Sequence, residues 1–245
     1  MSGLQGIYIL TSRMQTQRQK MDAAAVNVAN ANTAGFKRQE VDFQTIIGGR
    51  DMRPAGKFVL DRGFRNDLSQ GVINQTGNPL DMAIIGNGFF AVQRADGAPP
   101  VYTRDGHFTV NADGILVNQR GEAVLDDGNG EIQLPSDATL SVTSDGSILA
   151  DGDLVAQVGV FNFPPDAGLI RLGGNQFRPQ EGQVPLAAEN INVVSGAVEG
   201  SNVDPVMETV KLREVSRSYQ SAARLMSRLE DIQERAIREL PRASQ

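Results

Sequence analysis

The sequence predicts an α+β protein in which long N- and C-terminal α-helices, pairing as a coiled coil, flank a central, mostly antiparallel β domain. Three observations carry this expectation. Heptad-spaced seams run through both ends, six Asp-Gly pairs punctuate the middle, and charge divides between ends and middle. The 245 residues, 40% hydrophobic and 21% charged, can bury a real core and have neither disordered nor membrane composition.

At the N-terminal end Ile7, Leu10, Met14, Gln17, Met21, Ala24, Val28 and Ala31 step alternately by three and four residues. That a/d spacing predicts an axial helix over residues 1–35. Gly35 would be its C′ residue and Ala34 its C-cap, with Phe36 folded back on Ala31 in a Schellman stop. Lys37 and Arg38 would then meet the negative end of the helix dipole. Asn27, Asn30 and Asn32 lower helicity there. Either their amides bond neighbouring chains or they lie on a solvated face. Residues 36–75, containing "IIGGRDMRPAGK", read as an irregular connector leading into strands.

Residues 76–195 have a different grammar. Asp-Gly occurs at 96–97, 105–106, 113–114, 127–128, 145–146 and 151–152, between short runs such as "HFTV", "ILVN" and "LVAQVGVFNF". Asp-Gly supplies the positive φ angles of tight hairpins, so the expectation is a meandering antiparallel β domain. The C-terminal axial helix is expected within 196–245. Ser201 and Asp204 stand in an S-x-x-D arrangement with Pro205 in the first turn. Its seam is Leu212, Val215, Tyr219, Ala222, Met226, Leu229, Gln233, Ala236 and Leu240. Gln17 and Gln233 are polar knobs that could set register, and Tyr219 should bond its hydroxyl across the helix interface. At ~1.5 Å per residue the helices would be roughly 45 Å and roughly 55 Å long. With no helical core to receive them, these seams need each other or copies of themselves.

Residues 1–70 carry ten basic and six acidic groups, 71–200 five and sixteen, and 201–245 eight and seven. An acidic middle excludes the clustered basic face of a nucleic-acid binder and points to solvent outside and protein contact at the ends. Nothing approaches the ~18 apolar residues that span a bilayer. The start, "MSGLQGIYILTSR", has no basic n-region and only a short, interrupted apolar run, so Sec-type export is not expected and export by another route stays open. Without cysteine there is no disulfide, thiol nucleophile or thiolate metal site.

Catalytic signals are weak. His107, the lone histidine, has only Asp105 nearby in sequence and reads as a strand residue after a turn. "DDGNGE" (126–131) lacks calcium-loop spacing and reads as a hairpin loop. "GNGFF" (86–90) lacks the third glycine and following helix of a phosphate cradle, and points instead to close strand approach. No G-x-S-x-G elbow occurs. No catalytic residue, metal site or cofactor is therefore predicted, and the chain is not expected to be an enzyme.

"NVANANTAGFKR" (27–38) resembles the N-terminal signature of the bacterial flagellar rod and hook family at Asn27, Ala29, Asn30, Thr33, Gly35 and Phe36. "TGNPLDMAIIGNGFFAV" (76–92) and "YTRDGHFTVNADGILVNQRGEAV" (102–124) are similar to its central segments. "GAVEGSNVDPVMETV" (196–210), with Ser201 and Asn202, is similar to its C-terminal signature. The matches keep the family's order along nearly the whole chain. Chain length and "EVSRSYQSAARLM" (214–226) look most like the family's proximal-rod members, with the distal rod as the alternative.

The resemblance implies a structural subunit of the flagellar basal-body rod, polymerising through its terminal helices into a helical axial tube that transmits torque. It implies export through the flagellar type III apparatus without a cleaved signal, assembly in the periplasm, and homotypic and heterotypic rod subunits as partners. The terminal helices would line the inner core and the β domain the outside. The subunit contacts would fall on Ile7, Leu10, Met14, Met21, Val28, Leu212, Val215, Tyr219, Ala222, Met226, Leu229 and Leu240. Two readings from other classes are a periplasmic enzyme on the β domain, such as a peptidoglycan hydrolase, and a free binding module tethered by a coiled coil.

Overall fold

The computed structural model describes residues 2–46, 58–94, 96–135, 137–164, 168–188 and 191–239. Leu240 and residues 47–57 of the expected connector lie outside them. The chain divides into two compact units. One contains helix α1 (Ser2–Ala29), strands β1 (Gln39–Ile46) and β2 (Phe58–Asn66), and helix α2 (Pro205–Glu239). The other is formed by residues 30–38 and 68–203.

In the first unit α1 is proline-free and ends in an alanine-rich stretch of high helix propensity. Helix α2 starts where Asp204 caps it: Asp204 Oδ1 accepts from the backbone N–H of Val206 (2.9 Å) and of Met207 (3.1 Å). Pro205 occupies the first helical position, where no N–H is needed. Strands β1 and β2 form an antiparallel hairpin, from Gln39 opposite Asn66 to Ile46 opposite Phe58, with a bulge between Val41 and Phe43. Helix α1 packs on both strands as well as on α2.

The expected coiled coil does not form. Asn27, near the end of α1, reaches Glu208, near the start of α2, while Thr11 and Met14 share a cleft with Tyr219 and Met226. The helices therefore run antiparallel as a local pair. A coiled coil needs large apolar knobs sealed along the seam. Among the described residues of the helices, the buried side chains are small or polar: Ala23, Ala24 and Asn27 on α1, Glu208 and Ala222 on α2. Ile7, Leu10, Met14, Met21, Val28, Leu212, Val215, Tyr219, Met226 and Leu229 stay half-buried. Clefts of about 430 Å³ and about 280 Å³ open along the pair. No hydrogen bond to the Tyr219 hydroxyl is present among the described residues, contrary to expectation. The alanines let the helices touch, but the larger seam residues remain partly in water.

The second unit is a β structure whose strand pairings are all antiparallel. Its main sheet runs in the spatial order Leu169–Arg171, Gln176–Pro179, Val101–Thr103, Phe89–Gln93, Ala123–Val124, Leu116–Asn118 and Phe108–Val110. Val160–Asn162 joins it beside Phe89–Gln93 and also pairs with Leu186–Ala187. A separate meander links Leu140–Val142, Ser147–Ala150 and Asp153–Gln157. The last two strands are joined by Asp151 (φ 52°) and Gly152 (φ 98°), the paired positive angles of a tight hairpin turn.

The unbroken apolar run "FFAV" is explained by burial on both faces of the sheet. Phe90 and Val92 enter a core with Phe108, Leu116, Ile132, Ile148 and Val160. Phe89 and Ala91 enter a second with Tyr102, Leu125, Phe161 and Phe177. Phe90 meets Phe108 edge-on at 5.1 Å, a contact that adds about 0.5–1.5 kcal/mol to the burial. Among the described residues no helix is long and apolar enough to cross a membrane.

Candidate functional site

The N-terminal signature residues fall into two clusters, one in each unit. In the helical unit the Asn27 amide pairs with the Gln39 backbone, accepting from its N–H at 2.8 Å and donating to its carbonyl at 2.9 Å. The same Asn27 Nδ2 faces Glu208 Oε2 at 3.4 Å, and Glu208 Oε1 accepts from Lys211 Nζ at 2.8 Å. Asn27 thus serves its own chain. Asn30 accepts from the Thr33 hydroxyl at 3.3 Å, and Asn32 is exposed.

Helix α1 stops at Ala29 rather than running to a Schellman cap. Residues 30–35 turn instead, with Thr33 N–H donating to Asn30 O at 3.1 Å and Phe36 N–H to Thr33 O at 3.3 Å. Gly35 does take the left-handed conformation (φ 65°), but its N–H donates to Glu199 O at 2.7 Å. A Cβ there would lie 2.3 Å from the Asp105 backbone nitrogen, so this approach requires glycine.

Around that approach the β unit builds a buried polar cluster. Lys37, fully buried, donates from Nζ to Glu199 Oε1 (2.6 Å) and to Ser69 O (2.7 Å). Glu199, also fully buried, accepts from Gly71 N–H at 2.8 Å and, through Oε2, from Arg104 Nη1 at 3.1 Å. Arg104 reaches Gly86 O with Nη2 at 2.7 Å and stacks over Phe89 at 5.1 Å. Burial lowers the Arg104 pKa, and the Glu199 carboxylate opposes that shift. Asn202 accepts from Arg38 N–H at 2.7 Å and donates to Ser69 O and Oγ, each at 3.0 Å.

The Phe36 ring lies under the Arg171 guanidinium at 4.5 Å, and Arg171 also donates to Lys37 O. Desolvation lowers the Arg171 pKa to about 10. Asn175 Nδ2 closes the loop by donating to Ala34 O at 2.8 Å. Ser201 Oγ accepts from Val203 N–H at 3.2 Å.

Sequence reasoning missed Lys37, Arg104, Arg171, Asn175, Glu199 and Glu208. Lys37 was expected at a helix end and instead forms a buried ion pair. The available signal was Glu199, a lone carboxylate in the apolar stretch "GAVEG" that becomes a buried strand. Arg104, Arg171 and Asn175 had none, because their partners are remote in sequence. His107 Nδ1 faces Asp105 Oδ1 at 2.8 Å beside the Asp-Gly turn. Asp126 Oδ1 accepts from Gly130 N–H at 2.6 Å within a closed loop, the hairpin expected of "DDGNGE". At Gly88 a Cβ would sit 2.6 Å from Val160 Cγ1, so the glycine of "GNGFF" makes room for a side chain of the neighbouring strand rather than for its backbone.

Comparisons with known proteins place this architecture. Residues 7–37 match the family described as Flagella basal body rod protein. Residues 83–150 match the Flagellar hook protein FlgE/F/G D1 domain, and 194–239 the Flagellar basal body rod FlgEFG protein C-terminal. The Flagellar basal-body rod protein FlgF of Caulobacter vibrioides is 36% identical, over 96% of this chain and 97% of its own. FlgF of Mesorhizobium japonicum is 33% identical over the same shares. The Flagellar basal-body rod protein FlgG of Agrobacterium fabrum is 31% identical over 94% of this chain and 97% of its own. The three matched segments hold both buried clusters' signature residues, and the chain belongs to the bacterial flagellar basal-body rod protein family, as a FlgF-type structural subunit of the rod.

Proposed function

We propose that this subunit occupies the proximal rod, polymerising through its terminal helices into the torque-transmitting axial tube. The carrying observation is apolar surface left in water on the helical unit. Val26, Val206, Met207, Val210, Leu225 and Ile232 are 40–70% exposed, and the large seam residues are only half-buried. Neighbouring subunits covering that surface would gain ~25 cal/mol per Å², and a repeated head-to-tail contact that does not close generates a helical polymer. Met14, Met21, Leu212, Val215, Tyr219, Met226 and Leu229 are the seam residues we assign to these contacts. The acidic β unit forms the outer layer. The role is structural, without catalysis. Proximal placement draws support from the Caulobacter and Mesorhizobium FlgF relatives, which are 36% and 33% identical against 31% for the FlgG relative.

The same reading has the chain leave the cell through the flagellar type III apparatus without signal cleavage and assemble in the periplasm. The test is a double substitution, Met14→Asp with Met226→Asp, followed by composition analysis of isolated basal bodies. The variant is expected to be missing from rods while its β unit keeps native amide protection. Normal incorporation would sink the seam assignment. The stage at which the rod stalls when the chain is deleted separates proximal from distal placement.

A further inference from the structure

We propose that the Lys37–Glu199–Arg104 cluster is a closure latch that holds loop 30–38 on segment 196–203, and that a chain with the latch open does not enter the rod. This rests on the family assignment as a rod subunit and adds a conformational condition for assembly.

The loop's anchors come from the far end of the chain. Lys37 and Glu199 are 162 residues apart, Arg38 and Asn202 164. Gly35 N–H, Lys37 Nζ and Arg38 N–H all bond to Glu199 or Asn202. A chain made from its N-terminus has no such partners until its last segment appears, so the loop docks late.

The chemistry of the cluster makes closure selective. An apolar loop could settle on many greasy surfaces. A buried lysine tolerates only a site that supplies its counter-charge and hydrogen bonds. Glu199 presents one carboxylate oxygen to Lys37 and Gly71 and the other to Arg104. Arg104 is itself anchored on Gly86 O and Phe89, within the β unit and apart from the loop. Arg104, in the receiving half, therefore has anchors that do not depend on the loop. The loop follows directly after α1, and segment 196–203 ends two residues before α2 begins. Closure thus ties together the stretch of the β unit that follows α1 and the stretch that precedes α2.

The test labels the purified full chain with an amine-reactive acetylating reagent and reads each lysine by mass spectrometry. Lys37 should react far more slowly than half-exposed Lys211, the internal reference. Glu199→Gln should speed Lys37 labelling at least ~10-fold, with Lys211 unchanged and core amides still protected. Asn202→Ala, which removes the bonds to Arg38 and Ser69 but leaves the Lys37–Glu199 pair, should give a smaller rise. Unchanged Lys37 labelling in Glu199→Gln would overturn the latch. So would a rise accompanied by loss of core protection, which would make the cluster part of the core. Normal rod incorporation of an open Glu199→Gln chain would overturn the condition for assembly. If wild-type chain assembles at another position in the rod, the proximal placement fails and the labelling result still decides the latch.

Discussion

Gly35 joins a local backbone conformation to a contact remote in sequence. It was legible as a left-handed stop, and it is left-handed, but the reason is the Asp105 backbone packed against it. Gly35→Ala should cost at least ~2 kcal/mol from positive-φ strain and backbone collision. The change in urea midpoint of the β unit measures it, and a loss below ~0.5 kcal/mol would show that the loop gives way freely. Asn27 makes a different kind of contribution, because its amide satisfies both backbone groups of Gln39 in a buried place. Asn27→Ala should destabilise the helical unit by about 1–3 kcal/mol, the cost of leaving buried partners unsatisfied. Asn27→Asp keeps the acceptor for Gln39 N–H but places a carboxylate beside Glu208, so thermal unfolding should find it no more stable than the alanine variant.

At the scale of elements, turns were readable, while helix caps and helix partners were not. Asp204 caps α2 in place of Ser201, the capping position of the expected S-x-x-D arrangement, and Asp204→Ala should cost about 1 kcal/mol. Faster exchange of the amides at Val206 and Met207 would report it. The Asp151-Gly152 turn sets the register of Ser147–Ala150 against Asp153–Gln157. Gly152→Val should open that hairpin selectively, seen as lost protection there with the Phe89–Gln93 strand unaffected. The large seam residues are only partly buried, and the most buried positions include Ala23, Asn27 and Glu208, which lie off the seam. Spacing says which side chains share a face. Whether knobs meet holes depends on the facing surface, here alanines, a buried asparagine–glutamate contact and open clefts.

For the whole molecule, the two compact units draw on non-contiguous parts of the chain. The helical unit joins both ends with a β hairpin, while the loop after α1 belongs to the β unit. Phe90, buried in the main core, and Asn27 share no partner. Phe90→Ala should cost about 3–5 kcal/mol and act on the β unit. The double variant with Asn27→Ala should be additive within ~0.5 kcal/mol, and a larger coupling energy would show that the units stabilise one another.

The sequence by itself determined the order helix, β region, helix, the antiparallel hairpins, Pro205 in the first turn of α2, and the family through its ordered signatures. These depend on local periodicity, turn chemistry and short motifs, which survive being read along a line. Tertiary structure alone decided that the helices pair without forming a coiled coil and that α1 ends at Ala29. It also decided that Lys37, Arg104, Arg171 and Glu199 meet inside the β unit. The physical reason is that a charge can be buried only where its partner waits, and here the partners lie up to 162 residues away.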